Sequence, residues 1–233
     1  MFTTERHLNT SRTRRNARSK GTHNRHRSPP FTTDGKGVTT LVAFHGCPLH
    51  CKYCLNPQCL SPNGVLRTIT PSELYSEVEI DDLYFVATGG GICFGGGEPL
   101  LHSKFIEEFV KIMNPEWSII LETSLNVPLK QLEMVAPLIK EFIVDVKDMN
   151  EQTYETYTKQ SNRLVTSNLK WLVENGYTEK TLVRLPLIPY YNTEIAQDES
   201  KQRVEDMGFH RFDKFRYSVK HVCSEQDNNH IEM

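Results

Sequence analysis

Three cysteines, Cys47, Cys51 and Cys54, follow directly on the apolar run Val38–Phe44. That run reads as a mostly buried strand, so the thiols fall on a short loop leaving its C-terminal end. Spacings of three and two intervening residues let the loop wrap around one inorganic object. A structural zinc site takes four nitrogen or sulfur ligands in a closed tetrahedron, and the triplet supplies three. Iron–sulfur clusters are held by cysteine thiolates, and three ligands suit a cubane with one iron left open. On the triplet alone, zinc and unrelated thiols remain alternatives. Active sites of parallel α/β barrels sit at the C-terminal ends of the strands, which makes the loop a candidate catalytic element.

The other cysteines, Cys59, Cys93 and Cys223, do not repeat the tight spacing, so a second cluster is not expected. Six cysteines with three bunched together also differ from the even studding of a small disulfide scaffold. Cluster ligation in a reducing cytoplasm fits better. Cys59 reads either as a spare thiol near the triplet or as a loop or core cysteine. No run approaches the ~20 apolar residues of a membrane span, and the expectation is a soluble protein with no membrane partner.

Charge is unevenly spread. Residues 1–30 hold eight Lys or Arg and one acid, Glu5, although the whole chain carries a net charge of −2. This stretch has almost no aliphatic residues to offset the cost of ordering, and it reads as a disordered basic tail. A nucleic-acid arm, a transit peptide and a docking tail are possible uses. A solvated tail is the favoured reading, so nucleic acid is not an expected partner. Residues 31–233 read as one catalytic domain.

Asp34-Gly35-Lys36-Gly37 signals a turn before the first strand. Thr70-Pro71-Ser72-Glu73 is a capping box that opens a helix through Val78. Thr88–Gly97 holds two glycine triplets around Ile92-Cys93-Phe94, a second strand, with Glu98-Pro99 beyond it. Helices are expected at Ser103–Met113, Leu129–Leu138, Ser161–Asn175 and Thr193–Met207. Strands are expected at Trp117–Leu121, Glu141–Val146, Thr181–Ile188 and Lys214–Val219. Strand–helix alternation of this kind argues a parallel sheet with right-handed crossovers, and about six units predict a partial (β/α)6 barrel.

Several of these segments, in this order, resemble the glycyl radical enzyme activases of the radical S-adenosylmethionine superfamily, of the pyruvate formate-lyase activating type. Gly46-Cys47 through Cys54 with Asn56-Pro57 resembles their cluster loop, and Thr88–Pro99 their double-glycine segment. Asp145-Val146-Lys147 is similar to their Asp-x-Lys strand end, and Val183-Arg184 with Pro189 to their arginine-bearing strand. This chain departs from the family at Thr39, where a Lys or Arg is usual, at Ala43, where a phenylalanine is expected, and at Glu122, where an aspartate stands.

The resemblance implies a 4Fe–4S cluster on Cys47, Cys51 and Cys54, with S-adenosylmethionine bound at the open iron. Reductive cleavage would give a 5′-deoxyadenosyl radical that takes the Cα hydrogen of one glycine in a partner glycyl radical enzyme. Reduced flavodoxin or a ferredoxin-type protein would supply the electron. Gly96, Gly97 and Glu98 would meet the cofactor's amino group, and Lys147 and Arg184 its carboxylate. Tyr53 and His221 are candidates beside the adenine and ribose, and Thr123 and Asp145 would complete the cofactor-binding set. For Lys147 and Arg184 the bland alternative is an ion pair with Asp145 or Glu122.

Overall fold

The computed structural model describes residues 7–10, 37–65 and 67–217. Eight strands form one sheet: β1 (His7–Thr10), β2 (Thr39–Phe44), β3 (Arg67–Thr68), β4 (Gly91–Gly96), β5 (Ser118–Thr123), β6 (Glu141–Asp145), β7 (Thr181–Leu187) and β8 (Phe212–Arg216). Their spatial order is β3-β1-β2-β4-β5-β6-β7-β8. From β2 to β8 the six neighbours run parallel, so the partial (β/α)6 barrel is the observed fold. Seven helices connect them: α1 (Pro71–Val78), α2 (Asp82–Thr88), α3 (Ser103–Val110), α4 (Leu129–Val135), α5 (Glu151–Thr158), α6 (Arg163–Glu174) and α7 (Glu194–Asp206). None of the described helices is long and apolar enough to cross a membrane.

Period-two alternation decides which side of each strand meets the helices. Ile92 and Phe94 of β4 join Leu121, Val144 and Val183 in the main core, against Phe105, Phe109, Leu132 and Leu169 from the helices. Cys93, between them in β4, points to the opposite, concave face and packs with Ile120 and Ile143. It is therefore a core cysteine, remote from the thiol loop in role.

The capping box forms as expected. Thr70 Oγ1 accepts from the Glu73 amide, and the Glu73 carboxylate accepts from the Thr70 amide at 2.7 Å. Pro137 ends α4 early: the helix stops at Val135, and Ala136–Leu138 tightens into a 3-10 turn. A proline ring has no N–H to give the helix and clashes with the preceding turn. Helices α2 and α5 were not anticipated. Strand β1 falls inside the stretch expected to be disordered and pairs antiparallel with β2, Leu8 opposite Phe44. The rest of residues 1–30, His221 and most of the Asp34–Gly37 turn lie outside the described residues.

Candidate active site

At the C-terminal ends of the parallel strands a cavity opens between the thiol loop and the ends of β4, β5 and β6. Cys47, Cys51 and Cys54 line one side, Gly96, Gly97 and Glu98 the floor, and Glu122, Thr123, Asp145 and Lys147 the other side. These ten residues come from four separate stretches of the chain and meet because the strands that carry them are parallel and in register. A second groove of about 440 Å³, between β2 and α1, has no thiol in its lining.

The thiol loop is pinned by backbone bonds at both ends. Gly46 N–H donates to the Cys59 carbonyl at 2.9 Å, while His50 and Lys52 donate to the carbonyls of Thr158 and Tyr157 at the end of α5. Cys59 is buried under the loop, in the 3-10 turn Pro57–Leu60. All three loop cysteines are free thiols. Burial, with the Glu98 carboxylate second, pushes the Cys47 thiol up to about 12. Burial also pushes Cys51 up to about 11, against the pull of the Lys147 ammonium. Among the described residues, no three His, Cys, Asp or Glu side chains are gathered as a site for a single ion. A zinc ion would need its thiolates about 2.3 Å from one point. The three thiols line one cavity together.

Glycine matters at two places on the floor. Gly96 has φ +88°, and a Cβ there would stand 2.5 Å from the Ala43 Cβ; one on Gly97 would stand 2.2 Å from the Gly46 carbonyl oxygen. The double-glycine segment thus packs backbone to backbone against β2 and the root of the thiol loop. The Gly97 and Glu98 amides donate to the carbonyls of Phe44 and Gly46, and Asn56 Nδ2 donates to the Gly96 carbonyl at 3.1 Å.

Glu98 is 1% exposed, and its carboxylate has four donors. Oε1 accepts from Thr123 Oγ1 (2.6 Å) and the Leu100 amide (3.2 Å); Oε2 accepts from the Ser124 amide (2.9 Å) and Ser124 Oγ (2.6 Å). Burial raises its pKa above the usual carboxylate range while these bonds pull the other way. Side-chain contact between Glu98 and a ligand would have to compete with them.

The cations on the far side are also partnered. Lys147 Nζ donates to Asp145 Oδ2 at 2.9 Å and to the Tyr217 hydroxyl at 3.1 Å. Burial opposes its charge, but Asp145 and its other neighbours outweigh that and hold the ammonium well above the ordinary lysine value. Arg184 Nη1 donates to Glu122 Oε1 at 2.8 Å, and its Nε lies 3.5 Å from Asp213 Oδ2. The ion pairs weighed as the bland alternative are therefore present. Asp145 Oδ1, on the cavity, is buried without a hydrogen bond; Arg184 Nε is too, but it keeps its ion pair with Asp213 and Arg184 is not among the residues that line the cavity. Tyr53 packs edge-on to Tyr191, ring centroids 5.8 Å apart, and beside Tyr157.

The sequence reading passed over Asn56, Ser124 and Tyr217 as site residues. Ser124 had a signal, since it follows Thr123 at a strand end; Tyr217 had none, because its partner lies 70 positions away.

Residues 41–198 match the Radical SAM superfamily. Pyruvate formate-lyase 2-activating enzyme of Escherichia coli (strain K12) is 29% identical over 203 residues, covering 74% of this chain and 68% of the relative. The (2S)-3-sulfopropanediol dehydratase activating enzyme of Klebsiella oxytoca is 26% identical over 228 residues, covering 72% and 71%. Streptococcus suis SuiB bound to S-adenosylmethionine superposes with a TM-score of 0.60 at 13% identity, over 76% of this chain and 39% of SuiB. That likeness speaks for the fold alone, and this chain spans about two-fifths of SuiB. Since the matched stretch is well over half the chain and runs from β2 into α7, the chain belongs to the radical SAM superfamily.

Proposed function

We propose that this protein activates a glycyl radical enzyme. Cys47, Cys51 and Cys54 would hold a 4Fe–4S cluster by their thiolates, and the same cavity would take S-adenosylmethionine at the cluster's open iron. Bound together and reduced, the two would supply a 5′-deoxyadenosyl radical, the hard chemistry that cofactors bring and side chains cannot. The observation that carries this reading is the shared cavity: three free thiols face Gly96-Gly97-Glu98 and the Asp145–Lys147 pair across one space.

The chain's own residues bind and orient. The Gly96 and Gly97 backbone, held by Asn56 and β2, forms a fixed floor with Glu98 and Thr123 buttressing it. Lys147 and Arg184 would receive the cofactor's carboxylate, Lys147 from the cavity wall and Arg184 by giving up part of its pairing with Glu122 or Asp213. Asp145 Oδ1, an acceptor without a donor, suits the amino group. Tyr53 would border the adenine, and His221 remains a candidate beside the ribose. Lys147 is buried and Cys51 half-buried, which would limit the access of water to the reacting centre. The names of the curated relatives, each an activating enzyme of another enzyme, support a protein substrate that presents one glycine. A flavodoxin or ferredoxin-type donor would deliver the electron.

The test is anaerobic reconstitution followed by metal and sulfide analysis, then mixing with a glycyl radical enzyme encoded beside this gene. The expected result is a 4Fe–4S cluster and a glycine-centred electron paramagnetic resonance signal on the partner. Cofactor cleavage without that signal on any co-encoded partner would point to direct modification of a peptide or small molecule. One zinc with neither iron nor sulfide would overturn the radical chemistry altogether.

A further inference from the structure

The turn after β5 runs against the ordinary preference of its residues. Leu125 is fully buried and adopts φ +57°, a left-handed conformation that a residue with a Cβ seldom takes. Such a conformation persists where its surroundings over-determine it, and here they do. The Leu125 amide donates to Thr123 Oγ1 at 2.9 Å, and the Asn126 amide donates to Ser124 Oγ at 3.3 Å. Asn126 Nδ2 in turn donates to the Tyr154 hydroxyl and the Ser161 carbonyl. From the opposite side, Asn168 of α6 sends its Nδ2 to the carbonyls of both Leu125 (2.8 Å) and Val127 (2.9 Å).

Asn168 is 1% exposed, and its Oδ1 is buried with no partner. The reverse orientation of the amide would press that oxygen against two carbonyl oxygens, so the donors must face the turn. An unsatisfied acceptor in the core is unfavourable, and the only gain set against it is the pair of bonds to this turn. The turn, in its turn, aims Thr123 Oγ1, the Ser124 amide and Ser124 Oγ at Glu98, three of the four donors on that carboxylate. Glu98 then anchors the Gly96-Gly97 floor through its amide on the Gly46 carbonyl.

We propose that Asn168, which does not line the cavity, is a positioning residue for the S-adenosylmethionine end of the site. It clamps the left-handed turn, the turn holds Glu98, and Glu98 fixes the floor on which the cofactor rests. The proposal rests on the functional reading above for its ligand but not for its clamp.

Two readouts test it. Asn168→Leu keeps the branched shape, with somewhat greater bulk, and removes both donors. In the cofactor-free protein, hydrogen exchange at the amides of residues 124–127 and 97–101 should rise by about tenfold or more, with β4, β5 and β6 unchanged. In the reconstituted protein, Kd for S-adenosylmethionine should rise about tenfold while iron and sulfide content stays at the wild-type level. Asn168→Ala, which removes both donors without setting a bulkier side chain against the two carbonyls, should reproduce both changes and serves if Asn168→Leu does not fold. Unchanged exchange, or a rise spread evenly over the sheet, would overturn the clamp. A local rise with an unchanged Kd would overturn the positioning role. Wild-type protein that binds no S-adenosylmethionine would instead sink the functional reading, with exchange still deciding the clamp.

Discussion

On one wall of the cavity stand Cys47, Cys51 and Cys54, free thiols on a loop whose backbone is tied down at both ends. On the other, Lys147 already donates to Asp145 and Tyr217 and Glu122 accepts from Arg184, which does not itself line the cavity, while on the floor Glu98 is held by four donors. The first wall has its scaffold ready and its thiols in no disulfide. The second has spent most of its reactive atoms on one another. A ligand on the thiol side meets sulfurs held in no disulfide; a carboxylate on the cation side must share Lys147 or Arg184 with their present partners. On the function proposed, the thiol wall would decide whether a cluster is held at all, and the paired wall would tune how tightly a small molecule is bound.

The largest effect that could break this contrast is on metal content. Alanine at Cys47, Cys51 or Cys54 should abolish iron and sulfide incorporation, measured by colorimetric analysis after anaerobic reconstitution. Cys59→Ala should retain the cluster, because that thiol is buried under the loop. Retention of a full cluster in a Cys51→Ala protein would dissolve the distinction between the walls.

Next comes the paired wall. Lys147→Met strands the Asp145 carboxylate in a largely buried place, and removing one member of a buried pair costs about 3–5 kcal/mol. Denaturant unfolding should register that loss, whereas the double variant Lys147→Met with Asp145→Asn should recover most of it. A single variant as stable as wild type would mean that the pair is not what organises this side.

A smaller effect is set by pH in the metal-free protein. The Cys47 and Cys51 thiols are raised by burial from 9.0 to about 12 and about 11. Above pH 9 the unfolded chain loses thiol protons that the folded chain keeps. Stability is therefore whole below pH 9 and declines as pH rises toward 12. Alkylation of Cys51 in the folded protein should likewise reach half its full rate only near pH 11. A half-point near 9 would show that the loop is more open to water than its burial implies.

The smallest effect belongs to the surface. Arg163 and Glu151 pair at 3.1 Å with the arginine largely exposed, and Arg163→Ala should change stability by less than about 1 kcal/mol. A larger loss would show that distance from solvent is not what separates the Lys147 pair from ordinary ion pairs.

Much of the fold could be read in advance because its signals are local. The box Thr70–Glu73, the glycine at 176 closing α6 and the alternation of Ile92, Cys93 and Phe94 each act over a few residues. Helix α5 was missed since its polar sequence, Glu151–Thr158, carries little periodic apolar signal; it is held by Tyr154 and Tyr157, both buried. Helix α2 is similar, with a single buried residue, Phe85.

What the sequence by itself determined is the order of strands and helices and the position of three thiols at the end of the first parallel strand. Spacing and periodicity carry that information without reference to anything distant. Only the tertiary structure decided which groups are in use. Glu98 meets Thr123 and Ser124, Lys147 meets Tyr217, Arg184 meets Glu122 and Asn168 reaches the Leu125 turn, across separations of 25 to 70 residues. Burial makes those meetings obligatory, because a polar group cut off from water must find a partner wherever the chain brings one within reach.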